Sequence, residues 1–441
     1  MRRTEGVPGV GPHPPLNVLF VVPYAPTRIR TRPFHLIRAL ASHGHRVTVA
    51  TVWSNKEERA AVEAASSNGA HAVVAERLPR TRPLWNCVRA LLTADPLQAH
   101  YSWSPALAHR LARMIDDAPF DVVHVEHLRG VRYALALANR LPRPGARRAP
   151  IIWDSVDCIS SLFRRAARES QTRRVRLAAR LELRRTERYE GRVAPRFDRV
   201  LVTSDVDRAE LLELAQARDG SGLAERLMVI PNGVDLDYFS PSDEPRHPMT
   251  LVITGKMSYH ANATAVVRFV GDVMPSVWAK LPDVRLLIVG KDPPRDVARL
   301  HEAPGGSTPG GHDTRPVNRG GGRVVVTGTV DDIRPFLRTA TLAIAPILYG
   351  VGIQNKVLEA LACATPVVAT PQAVSALSAR AGEDLIVGRT PGELVTAIVA
   401  LLEDPDRRRR VGQAGRSYVE RRHSWHGVAS RLSDIYRDAL S

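Results

Sequence analysis

The sequence predicts an α/β protein of two doubly wound, Rossmann-like domains facing a central cleft. Three observations carry that expectation. The strand-like segments are apolar along their whole length, as in LNVLFVVP (16–23) and VRLLIVG (284–290), the pattern of parallel strands buried on both faces. Helical segments separate them, as crossover connections require. The alternation stops at the Pro- and acid-rich stretch DYFSPSDEPRHP (237–248) and then restarts, giving two series.

Taken in order, the first series opens with the strand at 16–23, a helix from about Pro33 to His43, the strand RVTVATV (46–52) and a helix over 56–68. Strands follow at DVVHVEH (121–127), IIWDSV (151–156), RVLVTS (199–204) and MVIPNGVD (228–235), the last ending in a Pro-Asn-Gly turn signal. The second series runs TLVITG, a helix through ATAVVRFVGDVMPSVWAK, VRLLIVG, RVVVTG, a helix at IRPFLRTA, LAIAPIL, a helix through VLEALA and the strand PVVAT. The expected partition is a disordered leader (1–15), a first domain (16–240), a second domain (241–420) with a low-complexity surface loop at 303–322, and a terminal helix (421–441) returning toward the first domain.

Composition narrows the class. The chain has 441 residues, enough for two or three domains with full cores. No run of about 18 apolar residues predicts a membrane-spanning helix, and the first fifteen residues lack the apolar region of a signal peptide. Three unspaced cysteines, Cys87, Cys158 and Cys363, suit a reducing cytoplasm and exclude a cysteine-rich metal site.

The net charge of +17 calls for an anionic partner. It concentrates at 164–192, where eleven arginines meet four glutamates. With Val175, Ala178, Ala179, Leu181 and Leu183 as one buried stripe, this reads as a long basic helix. Such a helix is a solvated face, a contact for an anionic membrane surface, or a nucleic-acid contact. No aromatic interleaving or binding motif supports nucleic acid.

The strand ends of the second series carry the site signals. Ligands of doubly wound sheets sit beyond the carboxyl ends of strands, with phosphates on helix amino termini. TLVITG-Lys256 and LLIVG-Lys291 each put a glycine and then a lysine at such an end, marking Gly255 and Gly290. In GVGIQNKVLEALA the helix starts near Gln354 with Lys356 in its first turn and no acid before Glu359. A cation there is unfavourable against the helix dipole, and a bound diphosphate would make it sensible. Glu359 lies one turn beyond Asn355 on the same side, where a carboxylate can accept both hydroxyls of a ribose. Neither a P-loop nor a GxGxxG fingerprint is present.

These segments, from PNGVD through TGKM, LLIVGKD, VTGTVDDI and NKVLEALA to TPVVAT and a closing SW helix, resemble the retaining glycosyltransferases of family 4, with the GT-B fold. The similarity covers nearly the whole chain. It looks closest to sugar transferases of bacterial exopolysaccharide systems. It implies that the second domain binds a nucleotide-diphosphate sugar: Gly352, Ile353, Gln354 and Asn355 offer backbone amides, Lys256 and Lys356 contact phosphate, Val330 lies near the base and Glu359 holds the ribose.

Three positions depart from the family. Val351 stands where a glutamate usually contacts the donor sugar, leaving Gln354 or Asn355 for sugar recognition. Ala261 stands where a second basic residue often lies. The first loop, PTRIRTRPFH, replaces the usual paired glycines with Arg28, Arg30 and Arg32, candidates for phosphate or acceptor.

The first domain is expected to hold the acceptor. The family's histidine or acid facing the donor sugar falls on Glu126 or His127, the catalytic candidates. His124 and Glu126 share a face if the strand continues that far, with His124 packed and His127 exposed. Asp154 and Asp157 either orient an acceptor hydroxyl or cap the following helix. The DVD (205–207) and DLD (235–237) sequences read as capping and turn acids, so no metal or other cofactor is expected. The resulting expectation is a metal-independent retaining sugar transferase. Its acceptor is lipid-linked or saccharide, at the inner membrane face. The alternatives are an epimerase or hydrolase of the same fold, or a non-catalytic sugar-nucleotide binder.

Overall fold

The computed structural model describes residues 14–27, 30–117, 119–139, 148–169, 173–217, 222–301, 322–349 and 352–441. Arg28, Val351, the leader up to residue 13 and the loop stretch 302–321 lie outside them.

Among the described residues, thirteen strands form two sheets. The first contains β1 (Asn17–Val22), β2 (Arg46–Trp53), β3 (Ala72–Arg77), β4 (Val122–Glu126), β5 (Ile151–Val156), β6 (Arg199–Val202) and β7 (Leu227–Val229), in the order β3-β2-β1-β4-β5-β6-β7. The second contains β8 (Thr250–Thr254), β9 (Arg285–Val289), β10 (Val324–Gly328), β11 (Leu342–Ala345), β12 (Val367–Ala369) and β13 (Ile386–Val387), in the order β10-β9-β8-β11-β12-β13. The pairings of β1 with β2 and β4, and of β8 with β9 and β11, are all parallel. Strand order therefore reverses between β1 and β4 in one sheet and between β8 and β11 in the other. A ligand crevice opens at such reversals.

Why the strands read as unbroken apolar runs is visible in the second sheet. Leu251, Ile253, Leu286, Ile288, Leu342 and Ile344 pack into the core on one face. Their neighbours Val252, Leu287, Val289, Ala343 and Ala345 pack into a separate core on the other. Successive side chains point to opposite faces, so only a sheet covered twice needs both sets apolar.

The two sheets change over between β7 and β8, around the expected break at 240, but the compact units are not contiguous in sequence. One comprises Met1–Ser155, Val193–Leu201 and Ala429–Ser441; the other comprises Val156–Arg192 and Val202–Val428. The chain passes between them four times, which a composition shift at one point cannot reveal. The terminal Trp425–Leu440 helix supplies the first unit with Tyr436, whose hydroxyl meets His124 Nδ1 at 2.9 Å, and Ser433, 2.8 Å from His45 Nε2.

Two further expectations change. The basic segment at 164–192 is not one helix but the end of Ile159–Glu169 followed by Arg173–Val193. Its buried face runs through Ala179, Thr186, Tyr189, Glu190 and Val193, while Ala178, Leu177 and Leu181 are exposed. Thr186 and Glu190 are polar, so an apolar stripe could not find that face. Glu190 earns its place by capping the preceding helix: its carboxylate accepts from the amides of Ile159 (2.8 Å) and Ser160 (3.1 Å). The Cys158 amide donates to Asp207 at 3.0 Å.

The stretch 237–248 is pinned rather than free. Arg246 donates to the carbonyls of Leu337, Ala340, Cys363 and Ala364 and to Thr365 Oγ1, all at 2.8–3.3 Å. These acceptors sit at the carboxyl ends of the Arg334–Thr339 and Asn355–Ala362 helices, where a cation satisfies orphan carbonyls and the dipole together. Arg338 and Arg416 hold the carbonyls of Ser240 (2.7 Å) and Phe239 (2.9 Å). Arg246→Ala should therefore cost about 3 kcal/mol of stability, read by urea denaturation. A loss below about 0.5 kcal/mol, the level of an ordinary surface change, would show that water replaces the guanidinium freely.

Candidate functional site

At the reversal of the second sheet, β8 ends in Gly255 and Lys256, and β11 leads through Ile347 to Tyr349 and on to the Asn355–Ala362 helix. Gly255 has φ +149, backbone open to glycine alone, and a Cβ there would lie 3.1 Å from Asn262 Nδ2 and 3.4 Å from Lys356 Nζ. The missing side chain thus clears the strand end for Lys356. Gly352, with φ +66, ends the loop just before the helix. A Cβ on it would strike the Asp157 carboxylate, 2.4 Å from Oδ1.

The helix opens as the sequence suggests. Gln354 is its N-cap without a side-chain cap bond, and no acid occupies the first turn. Ile353 is buried in the core, so its side chain anchors the loop. Lys356 donates to Asn262 Oδ1 at 2.5 Å, and Asn262 Nδ2 donates back to the carbonyl of Lys256 at 2.9 Å. Asn262 is the residue that sequence reasoning missed. Ala261, at the position examined for a second cation, is buried against the core, and its neighbour instead aims the lysine already present.

Burial pulls the Lys356 ammonium down to about 8, with the Glu359 carboxylate opposing the shift. Burial raises Glu359 to about 7, with Lys356 opposing. The Glu359 carboxylate has no hydrogen-bond partner among the described residues. A cation and an anion, both displaced from their ordinary values and both half-buried at a sheet reversal, mark a site suited to a ligand with phosphates and hydroxyls. Val330 packs partly on the same core as Ile353 and Val357.

Gly290 follows β9, the neighbour of β8, and a Cβ on it would fall 1.7 Å from the carbonyl oxygen of Gly255. The glycine is needed because two strand ends meet there. Sequence alone could not separate this Gly-Lys end from the one on β8, because the strand order was unknown.

At the reversal of the first sheet, β1 leads to Tyr24 and β4 ends at Glu126, followed by His127. The strand does continue to Glu126, so His124 and Glu126 share a face, and both are buried. Tyr24 donates to Glu126 Oε1 at 2.7 Å. Burial, reinforced by Asp154, pushes the Glu126 carboxyl up to about 8, so it is mostly protonated at neutral pH. His127 takes φ +63, a strained setting for a non-glycine residue and one that concentrates at functional sites. Rather than fully exposed, it is half-buried, and desolvation first and Arg129 second lower it to about 3, keeping the ring neutral. The Arg129 amide donates to its Nδ1 at 3.2 Å, which leaves the ring proton on Nε2 as a donor.

The arginine-rich first loop is largely committed inside the unit. Arg32 is buried and clamps Asp154 with two bonds, 2.8 and 3.1 Å, and His124 Nε2 lies 3.5 Å from the same carboxylate. A buried pair of this kind is strongly bound to itself, so neither Arg32 nor Asp154 is available to an acceptor. Arg30 stacks over Tyr24 at 4.5 Å and pairs with Glu58 at 3.0 Å. Asp157 instead accepts from Thr203 Oγ1 at 3.2 Å and borders Gly352. The acids of DVD and DLD hold local structure: Asp207 bonds Ser204 at a helix N-cap, and Asp235 accepts from the Tyr238 amide at 3.0 Å.

Comparison with known proteins agrees with this layout. Residues 31–238 match the family described as Glycosyltransferase Family 4, and residues 248–404 match Glycosyl transferases group 1. The D-inositol 3-phosphate glycosyltransferase 2 of Catenulispora acidiphila is 28% identical over 269 residues, 57% of this chain and 58% of that relative. The phosphatidyl-myo-inositol mannosyltransferase of Mycobacterium leprae is 26% identical over 349 residues, 77% of this chain and 79% of that one. The chain thus spans under two thirds of the first relative and over three quarters of the second. Among solved structures, Anabaena HepE in complex with UDP superposes with a TM-score of 0.62 at 13% identity, over 96% of this chain and 100% of that one. Sucrose-phosphate synthase from Thermosynechococcus elongatus gives 0.61 at 16% identity, over 96% and 98%. Two parallel Rossmann-like sheets of the GT-B type thus coincide with a match to the family 4 glycosyltransferases over the first part of the chain and to the group 1 glycosyl transferases over the second.

Proposed function

We propose that this protein transfers a sugar from a nucleoside-diphosphate sugar to a lipid-linked or saccharide acceptor, with retention of configuration. The process it serves is cell-surface glycolipid or polysaccharide synthesis. The observation that carries the reading is the group at the β8/β11 reversal: Gly255, Gly352, Lys356 and Glu359 around the amino end of one helix. The amides of Gly352 to Asn355 and the ammonium of Lys356, with exposed Lys256 beside them, neutralise a diphosphate. Glu359 accepts the ribose hydroxyls. The names of relatives that act on inositol lipids, and of a neighbour solved with UDP, support donor and acceptor classes of this kind.

In the first unit we assign the catalytic candidate to His127 rather than Glu126. Glu126 is buried, neutral and bonded to Tyr24, so it positions rather than reacts. His127 is half-exposed and presents a ring N–H, suited to a sugar hydroxyl. Among the described residues no helix is long and apolar enough to cross a membrane. We place the protein on the cytoplasmic face of the inner membrane, held in part by the basic Arg173–Val193 helix, with attraction that fades over about 8 Å at physiological salt. Nucleotide release with and without membrane lipid tests the class. Release that needs lipid supports transfer, release without it indicates hydrolysis, and no release indicates a binder.

Donor affinity should be bell-shaped in pH. An anionic ligand favours charged Lys356, so affinity is full below about 8 and lost above it. Ribose hydroxyls favour ionised Glu359, so affinity is full above about 7 and lost below it. Glu359→Gln should flatten the acid limb. Lys256→Ala and Glu359→Ala should each weaken binding roughly ten- to a hundred-fold by calorimetry. Unchanged affinity in both folded variants refutes the assignments.

Because a helix amino end and lysine can stabilise the leaving diphosphate, activity should survive excess EDTA. Complete loss restored by Mg²⁺ or Mn²⁺ would show that the cationic site is insufficient.

A further inference from the structure

The first unit carries an apolar helix face that none of the chemistry above uses. In the helix Thr81–Leu91, Leu84, Trp85, Val88 and Leu91, with Leu92 just beyond, are 54–88% exposed. Their spacing, i, i+1, i+4, i+7 and i+8, gathers them on one side of the helix. The opposite side is fixed: Pro83, Asn86 and Ala90 are buried, and Asn86 Nδ2 donates to the carbonyl of Trp103 at 2.9 Å. The helix therefore cannot roll to hide its apolar side without breaking a buried amide bond. Arg80, Arg82 and Arg89 lie at the margins of that side, and the helix contains no acidic residue.

We propose that this face seats the protein on an anionic lipid bilayer, the helix lying in the interface with Trp85 and the leucines dipped among the acyl chains. At about 1.5 Å per residue the helix spans about 16 Å, far too short to cross a bilayer and suited to lying in it. The arginines at its margins then meet lipid phosphates. A second copy of the chain fits less well, because symmetric pairing through this face brings like arginines together. The proposal deepens the membrane part of the functional reading and assigns the apolar contribution to a segment other than the arginine-rich helix.

The test is sedimentation of the full chain with vesicles of phosphatidylcholine alone or mixed with phosphatidylglycerol, at low and high salt. Wild type should prefer the anionic vesicles and keep a substantial bound fraction at high salt, since apolar burial is not screened. Leu84→Gln/Trp85→Gln/Leu92→Gln, all at exposed positions, should lower the partition on the order of a hundredfold. Its melting temperature should stay unchanged. Three results would overturn the proposal: equal sedimentation of the triple variant, complete release of wild type by salt, or no preference for anionic lipid. A fourth is lipid-free dimerisation of wild type that the triple variant abolishes, which would assign the face to a second copy. Donor affinity by calorimetry is read in parallel. Its absence from wild type would sink the transferase reading, whereas the vesicle results speak to the docking face alone.

Discussion

The chain's second half is arranged around one electrostatic constraint: a helix that begins at the reversal of a parallel sheet with a cation and no acid in its first turn. Left alone, that amino end sets a lysine against the helix dipole. The surroundings maintain the arrangement. Asn262 fixes Lys356, Gly255 leaves room for it, Ile353 anchors the loop, and Arg246 secures the far end of the same helix. An anion of the right shape relieves the whole arrangement at once.

The first half uses a different device at the equivalent place. There the charged groups are turned inward: Arg32 is spent on Asp154, and Glu126 is buried and held by Tyr24. What the crevice offers instead is His127, neutral and in a strained conformation. One reversal thus keeps a lysine and a carboxylate, and the other presents a hydrogen-bond donor.

Much of this was legible in residues. The apolar runs announced two covered parallel sheets because both faces must be apolar, and the first turn at Gln354–Lys356, which violates the dipole rule, pointed to the place where the structure sets Lys356 against Asn262. The strand β3 was missed because AVVAER has only four apolar residues, one of them buried, and follows a helix-like run. Long-range partners were out of reach: nothing local says that Glu190 caps a helix beginning 31 residues earlier, or that Arg32 and Asp154 neutralise each other across 122 residues. Sequence also saw a basic stripe at 164–192 as the membrane contact and passed over TRPLWNCVRAL, whose apolar side becomes notable only once its exposure is known.

The central claim is that the diphosphate of the donor rests on the amino end of the Asn355–Ala362 helix. A crystal structure with UDP or GDP, whichever binds, tests it most directly. The account predicts phosphate oxygens within hydrogen-bond distance of amides in Gly352–Asn355 and of Lys356 Nζ, and both ribose hydroxyls on Glu359. A nucleotide bound away from the β8/β11 reversal, or one whose ribose leaves Glu359 untouched, would contradict it.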